Sequence, residues 1–482
     1  MAVSNRIKNQ HLLWRAAFGP MAEMAASLDT MSQKELWALL VKTSSKPVQK
    51  IEVTKNPADE YMAGMTDPKD IQKTLNNPEL RKKLREQSRD DLKVMNLRWL
   101  ETMVNSEAQL REKMSLFWHG HFATRLPNSF FEQELLQTVR TNALGNFGDM
   151  LKAVSKSPAM LQFLNNQQNK KSHPNENFAR EVMELFTMGR GNYTENDVKE
   201  AARAFTGWGF NPQGEFVFRR FQHDDGSKTF LGKTGNYDGD DILNMLLENK
   251  QTANYISKKI YRYFVNENIN EQNQQWLSNR FYNNKYDIGK LLEDIFTSDW
   301  FYDEKNIGTR IKSPVELLAG IRRMLPMQLE KDESQLLFQR ALGQILFYPP
   351  NVAGWPGGKN WIDSSSLMLR LRIPKIFSAN DALDIMPKVD DDVQMGQMME
   401  GIKKMRETVK GGTATIDWAA VNTIFEKVQR ENLLETIEST VLQTKTKVSN
   451  TVLDKYVNEQ SRENFVKSAI VNLMSTPEYQ LC

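Results

Sequence analysis

Cysteine is all but missing from this sequence: the single one, Cys482, is the last of 482 residues. No internal disulfide can form, and no zinc site can draw on cysteine thiolates. Long apolar runs are missing as well, since no stretch approaches the roughly eighteen residues that span a bilayer. Near the start, Arg15 interrupts the apolar stretch Leu12 to Phe18, so Met1 to Gly19 has no uninterrupted h-region of a secretory leader. Charge of one sign is also lacking. Lys+Arg of 63 against Asp+Glu of 60 leaves a formal charge of +3, and no block of like charges forms an arm or a tail. A nucleic-acid binder would carry a basic stripe, so nucleic acid is not an expected partner. These absences predict a reduced, soluble, cytoplasmic chain that does not insert into a membrane.

What is present is a folded protein's composition, 40% hydrophobic and 26% charged. Apolar residues recur at helical steps, as in Leu97, Leu100, Val104 and then Leu110, Met114, Phe117. The same period runs through Pro174 to Met188, Glu195 to Thr206, Asp241 to Leu247, Ala253 to Val265, Val315 to Leu325, Ser334 to Leu346 and Glu463 to Leu473. Strand signal is scarce. Glu215 to Gln222, followed by Asp224-Asp225-Gly226 and Thr229 to Leu231, reads as a small hairpin. The predicted fold is therefore mainly α, a multi-helix bundle-like body with one small β-hairpin. Periodicity lapses around Thr43 to Asp70 and Asn380 to Asp392, and Gly411-Gly412 is a further break. The expected division is an N-terminal helical segment and linker over 1–70, a central helical body over 71–375, and a C-terminal helical part over 376–482.

A short pattern recurs three times: Leu151-x-x-Val154-x-x-Ser157-Pro158-x-Met160, Leu292-x-x-Ile295-x-x-Ser298-Asp299-x-Phe301 and Ile470-x-x-Leu473-x-x-Thr476-Pro477-x-Tyr479. Each reads as a helix stopped by a Ser/Thr turn, after which a large side chain folds back on the apolar seam. Nothing in it performs chemistry, so packing is its expected role.

Chemistry points instead to the histidines, of which there are five: His11, His119, His121, His173 and His223. In Trp118-His119-Gly120-His121-Phe122 the two rings would diverge by about 200° on a continuing helix, so convergence on one ion requires the chain to leave the helix near Gly120. A metal half-site is one reading. A helix-end histidine beside one packed against Trp118 and Phe122 is the other. Further on, His173, Asn177, Glu181 and Glu184 fall at steps of four, four and three, on one face of a helix opened by Pro174 and ended before Gly189. One imidazole and two carboxylates there suit a metal or a general acid and base, whereas Glu176 and Arg180 at i,i+4 suit an ordinary surface pair. His223 and Asp224, at the entry to the hairpin turn, are candidates to complete the histidine site. Asp240 is expected to cap the helix that follows Tyr237-Asp238-Gly239. The loop Phe347 to Ser365 carries Trp355 and Trp361 among prolines and glycines, a composition that lines pockets or plugs cores.

Read together, several blocks resemble the bacterial family called domain of unknown function 1800. They are His11 to Gly19, Trp118 to Phe122, the His173 to Gly189 helix, Ala202 to Trp208, His223-Asp224, Lys312-Ser313-Pro314-Val315-Glu316 and the Pro349 to Ser365 loop. The resemblance implies a helical fold and no established activity. It also implies a partner, since relatives are often encoded beside an exported sulfatase-like protein, and with that partner a periplasmic or surface destination. At Glu248 to Ala253 this chain departs from relatives that commonly carry a histidine there. Three functional expectations follow. The first is a hydrolytic or oxidative enzyme in which His119, His121, His173 and His223 hold a divalent metal, with Glu181 or Glu184 as ligand or base. Zinc, iron or manganese would suit those donors better than copper(I). The second is an assembly partner of the sulfatase-like protein. The third is a carbohydrate binder using Trp355 and Trp361. Whatever the function, Asn177, Arg180, Asp224, Trp355 and Trp361 are further pocket candidates.

Overall fold

The computed structural model describes residues 3–25, 27–61, 67, 73–74, 76–379 and 414–482. The predicted linker at Asn380 to Asp392 and the Gly411-Gly412 break lie outside these residues, as does part of the lapse before Asp70. The fold is mainly α, with three small antiparallel two-stranded sheets among the described residues.

Local chemistry sets the helix starts. Helix α1 (Asn5–Ala16) is capped by the Ser4 side chain, and α2 (Gln33–Ser44) by a reciprocal Ser32–Glu35 box. The long apolar stripe expected through Leu92 to Trp118 is two helices, α3 (Pro78–Asn105) and α4 (Gln109–His121). Helix α5 (Ser129–Asn142) packs against both, and a buried carboxylate pins the three together. Glu112 of α4 accepts from Trp99 Nε1 of α3 at 3.0 Å and from Arg140 of α5 through two nitrogens at 3.0 and 2.8 Å. A forked guanidinium on a carboxylate fixes orientation as well as distance.

Further along lie α6 (Lys250–Phe264), α7 (Pro314–Met324) and α8 (Arg462–Met474). Helix α1 is the element on which the cores meet. Leu12 and Leu13 belong to the large core built from residues 12–302, Trp14 to the core of α7 and α8, and Phe18, just beyond α1, to the core of α3. Among the described residues no helix is long and apolar enough to cross a membrane.

The sheets depart from the expected pairing. Strand β1 (Trp208–Phe210) pairs with β2 (Phe216–Phe218), and β3 (Lys228–Phe230) with β4 (Lys233–Gly235), so Glu215 to Gln222 does not pair with Thr229 to Leu231. Two turns decide this. Gly214 at φ +85° closes the first hairpin, and Leu231-Gly232, at φ +47° and +77°, make the doubly left-handed turn that matches strand twist in the second. A third pair, β5 (Met327–Leu329) with β6 (Ala414–Ile416), joins segments far apart in sequence. The cap before the helix Gly239–Glu248 is Asp238, not Asp240, because the Asp238 side chain reaches the Asp240 and Asp241 amides.

The recurring Ser/Thr-turn pattern is packing. Met160, Phe301 and Tyr479 are all buried, each in a short helix just after the turn.

Close approach explains one glycine that helix propensity alone would disfavour. A Cβ on Gly320 of α7 would stand 2.3 Å from the Trp14 ring, whereas one on Gly120 of α4 meets nothing within 4 Å. Gly320→Ala should therefore lower stability by about 1–3 kcal/mol through overpacking. Gly120→Ala should be neutral or stabilising by about 0.5–1 kcal/mol, the ordinary helical preference for alanine. Denaturant unfolding of both variants checks the contrast, which equal effects would remove.

Candidate active site

The sequence candidates are not gathered in one place. Helix α4 continues through Gly120 to His121, so the two rings of the H-x-H segment leave on different sides. His119 faces the late loop: its Nε2 accepts from the Phe347 amide at 3.2 Å, and its ring packs on Trp99, Phe347 and Trp355. His121 faces the Phe186 carbonyl and Lys259. His223 is buried with Nδ1 3.0 Å from the Thr206 carbonyl, and Asp224 is held by Arg203 at 2.7 Å. His173 is exposed in a bridge with Lys170, while His11 is buried against Phe301.

The acidic face also divides. Arg180 pairs with Glu176, as its spacing predicted, and with Glu195. Asn177 is exposed and donates to the Leu164 carbonyl. Glu184 accepts from Tyr193 Oη at 2.7 Å. Burial, and then the neighbouring Glu184 charge, push the Glu181 carboxyl up from its ordinary range. Among the described residues no group of three or more His, Cys, Asp or Glu is placed to hold a metal ion. The ring nitrogens that face inward, Nε2 of His119 and Nδ1 of His121, are both occupied by N–H donors of the protein. The donor set does not fit the metal centre expected from the sequence.

A cavity of about 540 Å³ does form, and His121 is part of its lining. The end of α4 supplies Phe117, Gly120 and His121, and α6 supplies Lys259, Arg262 and Tyr263. Glu267, Arg310 and the Ala353 to Trp361 loop close it. Trp355 is half-buried at this wall, and Trp361 is a buried part of the same wall.

The loop needs its glycines. A Cβ on Gly354, at φ +79°, would sit 2.2 Å from the Gly120 carbonyl oxygen, and one on Gly358 would meet the Glu267 carboxylate. Backbone thus lies directly against backbone at the cavity rim. Phe347 enters this loop at φ +67°, a region costly for a non-glycine residue, and its amide is the one bound by His119.

At the cavity wall His121, a sequence candidate, pairs with Lys259, which sequence reading missed. Lys259 Nζ lies 2.8 Å from His121 Nδ1, and His121 Nε2 lies 3.2 Å from the Phe186 carbonyl. A carbonyl only accepts, so Nε2 carries the hydrogen and the Nδ1 lone pair faces the lysine. The Phe186 carbonyl comes from the stretch Val182–Thr187, which is wound as a π-helix rather than the expected α-helix. Such wide turns favour functional sites and leave carbonyls for outside donors. Burial lowers Lys259 to about 8. The same loss of solvent, together with the Lys259 charge, holds His121 well below its ordinary value. The Tyr255 ring lies under Lys259 at 5.5 Å, in the close space that Gly189 leaves. One signal was legible: Thr252, Ile256, Lys259 and Tyr263 share a helical seam, which places a cation among buried and half-buried positions.

The fold and this cavity describe a helical protein with a built polar site. The chain belongs to the family of proteins of unknown function designated DUF1800, whose family model matches residues 11–481. No curated protein and no solved structure matches it.

Burial lowers His119 to about 3. A histidine depressed in the folded state contributes its full stability above the unfolded value near 6.5 and loses it as pH falls toward the folded value. Thermal stability should therefore fall steadily between pH 6.5 and about 3. His119→Gln, which keeps an acceptor for the Phe347 amide but no titrating group, should shallow that slope when melting is followed across the range. An unchanged slope would contradict the assignment.

Proposed function

We propose that this chain is a small-molecule enzyme whose cavity binds an anionic ligand and presents it to the Lys259–His121 pair. The observation that carries this reading is the Lys259 ammonium at the cavity wall, 2.8 Å from an unprotonated imidazole nitrogen and with no carboxylate among the causes acting on its pKa. The lining supports it: Lys259, Arg262, Arg310 and Lys359 stand against the single carboxylate Glu267. A cavity of about 540 Å³ falls within the range of small-molecule sites, roughly 300–1,000 Å³. Phe117, Tyr263 and Trp355 add apolar and aromatic wall, which suits a ligand carrying a ring or a short apolar body beside its charge.

This reading takes Trp355 and Trp361 from the carbohydrate expectation as parts of the cavity wall. It moves the chemistry from the dispersed histidines to one histidine and a lysine. Lysines in such settings serve as bases and nucleophiles because desolvation favours the neutral amine. A working partnership with the sulfatase-like protein remains compatible with it, and co-purification of the two tests that separately.

Calorimetric titration with benzoate and phenyl phosphate, beside neutral benzyl alcohol, tests the charge preference. The anions should bind and the alcohol should not. Arg262→Ala and Lys359→Ala, both at exposed positions, should each weaken anion binding about tenfold, equivalent to about 1.4 kcal/mol. Equal binding of the alcohol, or anion binding indifferent to both substitutions, would overturn the reading.

A further inference from the structure

The cavity holds a primary amine, a facing base and a cationic wall, a combination with a chemical consequence beyond binding. We propose that Lys259 is a nucleophile that forms an imine with the carbonyl carbon of a 2-oxo acid seated in this cavity, with His121 as the base that frees the amine. The inference rests on the anion-binding reading above and names its substrate class.

The geometry carries it. Lys259 lines the cavity, and its Nζ lies 2.8 Å from His121 Nδ1 and 5.5 Å from the centre of the Tyr255 ring. His121 cannot rotate away, because Nε2–H is committed to the Phe186 carbonyl and the ring is stacked beside Phe117 and edge-on to Phe122. Its lone pair is therefore fixed on the amine. Arg262 and Lys359, both in the cavity lining, carry N–H donors suited to a carboxylate. A 2-oxo acid places a carboxylate next to an electrophilic carbon, so one short ligand satisfies both features.

The step balances without a co-reactant. His121 Nδ1 takes one proton from the Lys259 ammonium. The freed lone pair forms a C–N bond to the carbonyl carbon as the C–O π bond opens, and a proton passes from nitrogen to that oxygen to give the carbinolamine. The proton on His121 then goes to the hydroxyl, which leaves as water, and the nitrogen lone pair closes the C=N bond. The sum is an ammonium and a ketone giving an iminium and one water, with His121 returned to its neutral form. The iminium draws electrons from the adjacent carbon–hydrogen and carboxylate bonds, the common use of lysine imines.

The lowered lysine value supports this, since more of the amine is neutral near pH 7 than on an exposed lysine.

Trapping decides it. The full-length protein is incubated with phenylpyruvate and sodium cyanoborohydride, and peptide mass spectrometry locates any reduced adduct. Binding of phenyllactate, which carries the same ring and carboxylate but a hydroxyl in place of the ketone, is measured alongside by calorimetry. The expected result is one adduct per chain on Lys259, absent in Lys259→Arg and formed at least tenfold more slowly in His121→Gln, which keeps a donor and an acceptor but no titrating base. Circular dichroism of both variants establishes that they fold. Phenyllactate binding without a Lys259 adduct would overturn the imine and leave the anion site standing. Adducts spread over surface lysines would also overturn it. Neither binding nor adduct would remove both readings together.

Discussion

One buried carboxylate, Glu316, holds the parts of this protein in register. It sits in the first turn of α7, where its Oε2 accepts from the Ser313 amide while the Ser313 hydroxyl accepts from the Glu316 amide. Its Oε1 accepts from both Lys113 of α4 and Arg310. Burial alone would raise its carboxyl group, but the Arg310 and Lys113 charges outweigh that and hold it well below the usual range. Removing one member of such a cluster leaves the others charged and dry, a loss of about 3–5 kcal/mol in comparable buried pairs.

From that ion the cavity follows. Lys113 lies on the same helix as His119 and His121, which follow about one and two-thirds and about two and a quarter turns further on, so its anchoring sets where α4 ends. Arg310 forms part of the cavity lining and lies 4.7 Å from the Tyr263 ring, on the helix that carries Lys259. The same neighbourhood buries Arg15, Lys312 and Arg370, and burial lowers them to about 10, 7 and 10. Aromatic faces and a carbonyl add to the attraction of Cys482 and Glu316 for Lys312: it lies 3.4 Å from the Trp14 ring centre and donates to the Tyr479 carbonyl. Cationic character therefore extends from the buried cluster into the cavity, which is the physical reason an anion is the ligand proposed there.

Much of the fold was legible because its signals are local. Apolar steps marked the helices, and the Ser/Thr turns after Val154, Ile295 and Leu473 marked their ends. Hairpin pairing was harder to read, since the turn at Leu231-Gly232 depends on a leucine in left-handed backbone that composition does not announce. The site was harder still. The sequence drew attention to histidines, the rarest polar residues present, yet only His121 lines the cavity. Lys259 and Lys113 looked like ordinary cations in a chain rich in them, and their meaning comes from which helices face each other across the core. Their seam positions, Thr252-Ile256-Lys259-Tyr263 and Leu110-Lys113-Phe117, were the available hints. Glu316 stood within a recognised block, but a capping box explains a glutamate there without any buried partner.

The central claim is that the Glu316 ion cluster fixes the end of α4 and, through it, the cavity. Amide hydrogen exchange in Glu316→Gln measures this directly. The account predicts faster exchange in α4 and in the Gln344 to Trp361 loop, with the β3–β4 hairpin and the helix Glu195–Ala204 left close to their original protection. Unchanged protection in α4 and that loop, or an equal loss in every element, would contradict it.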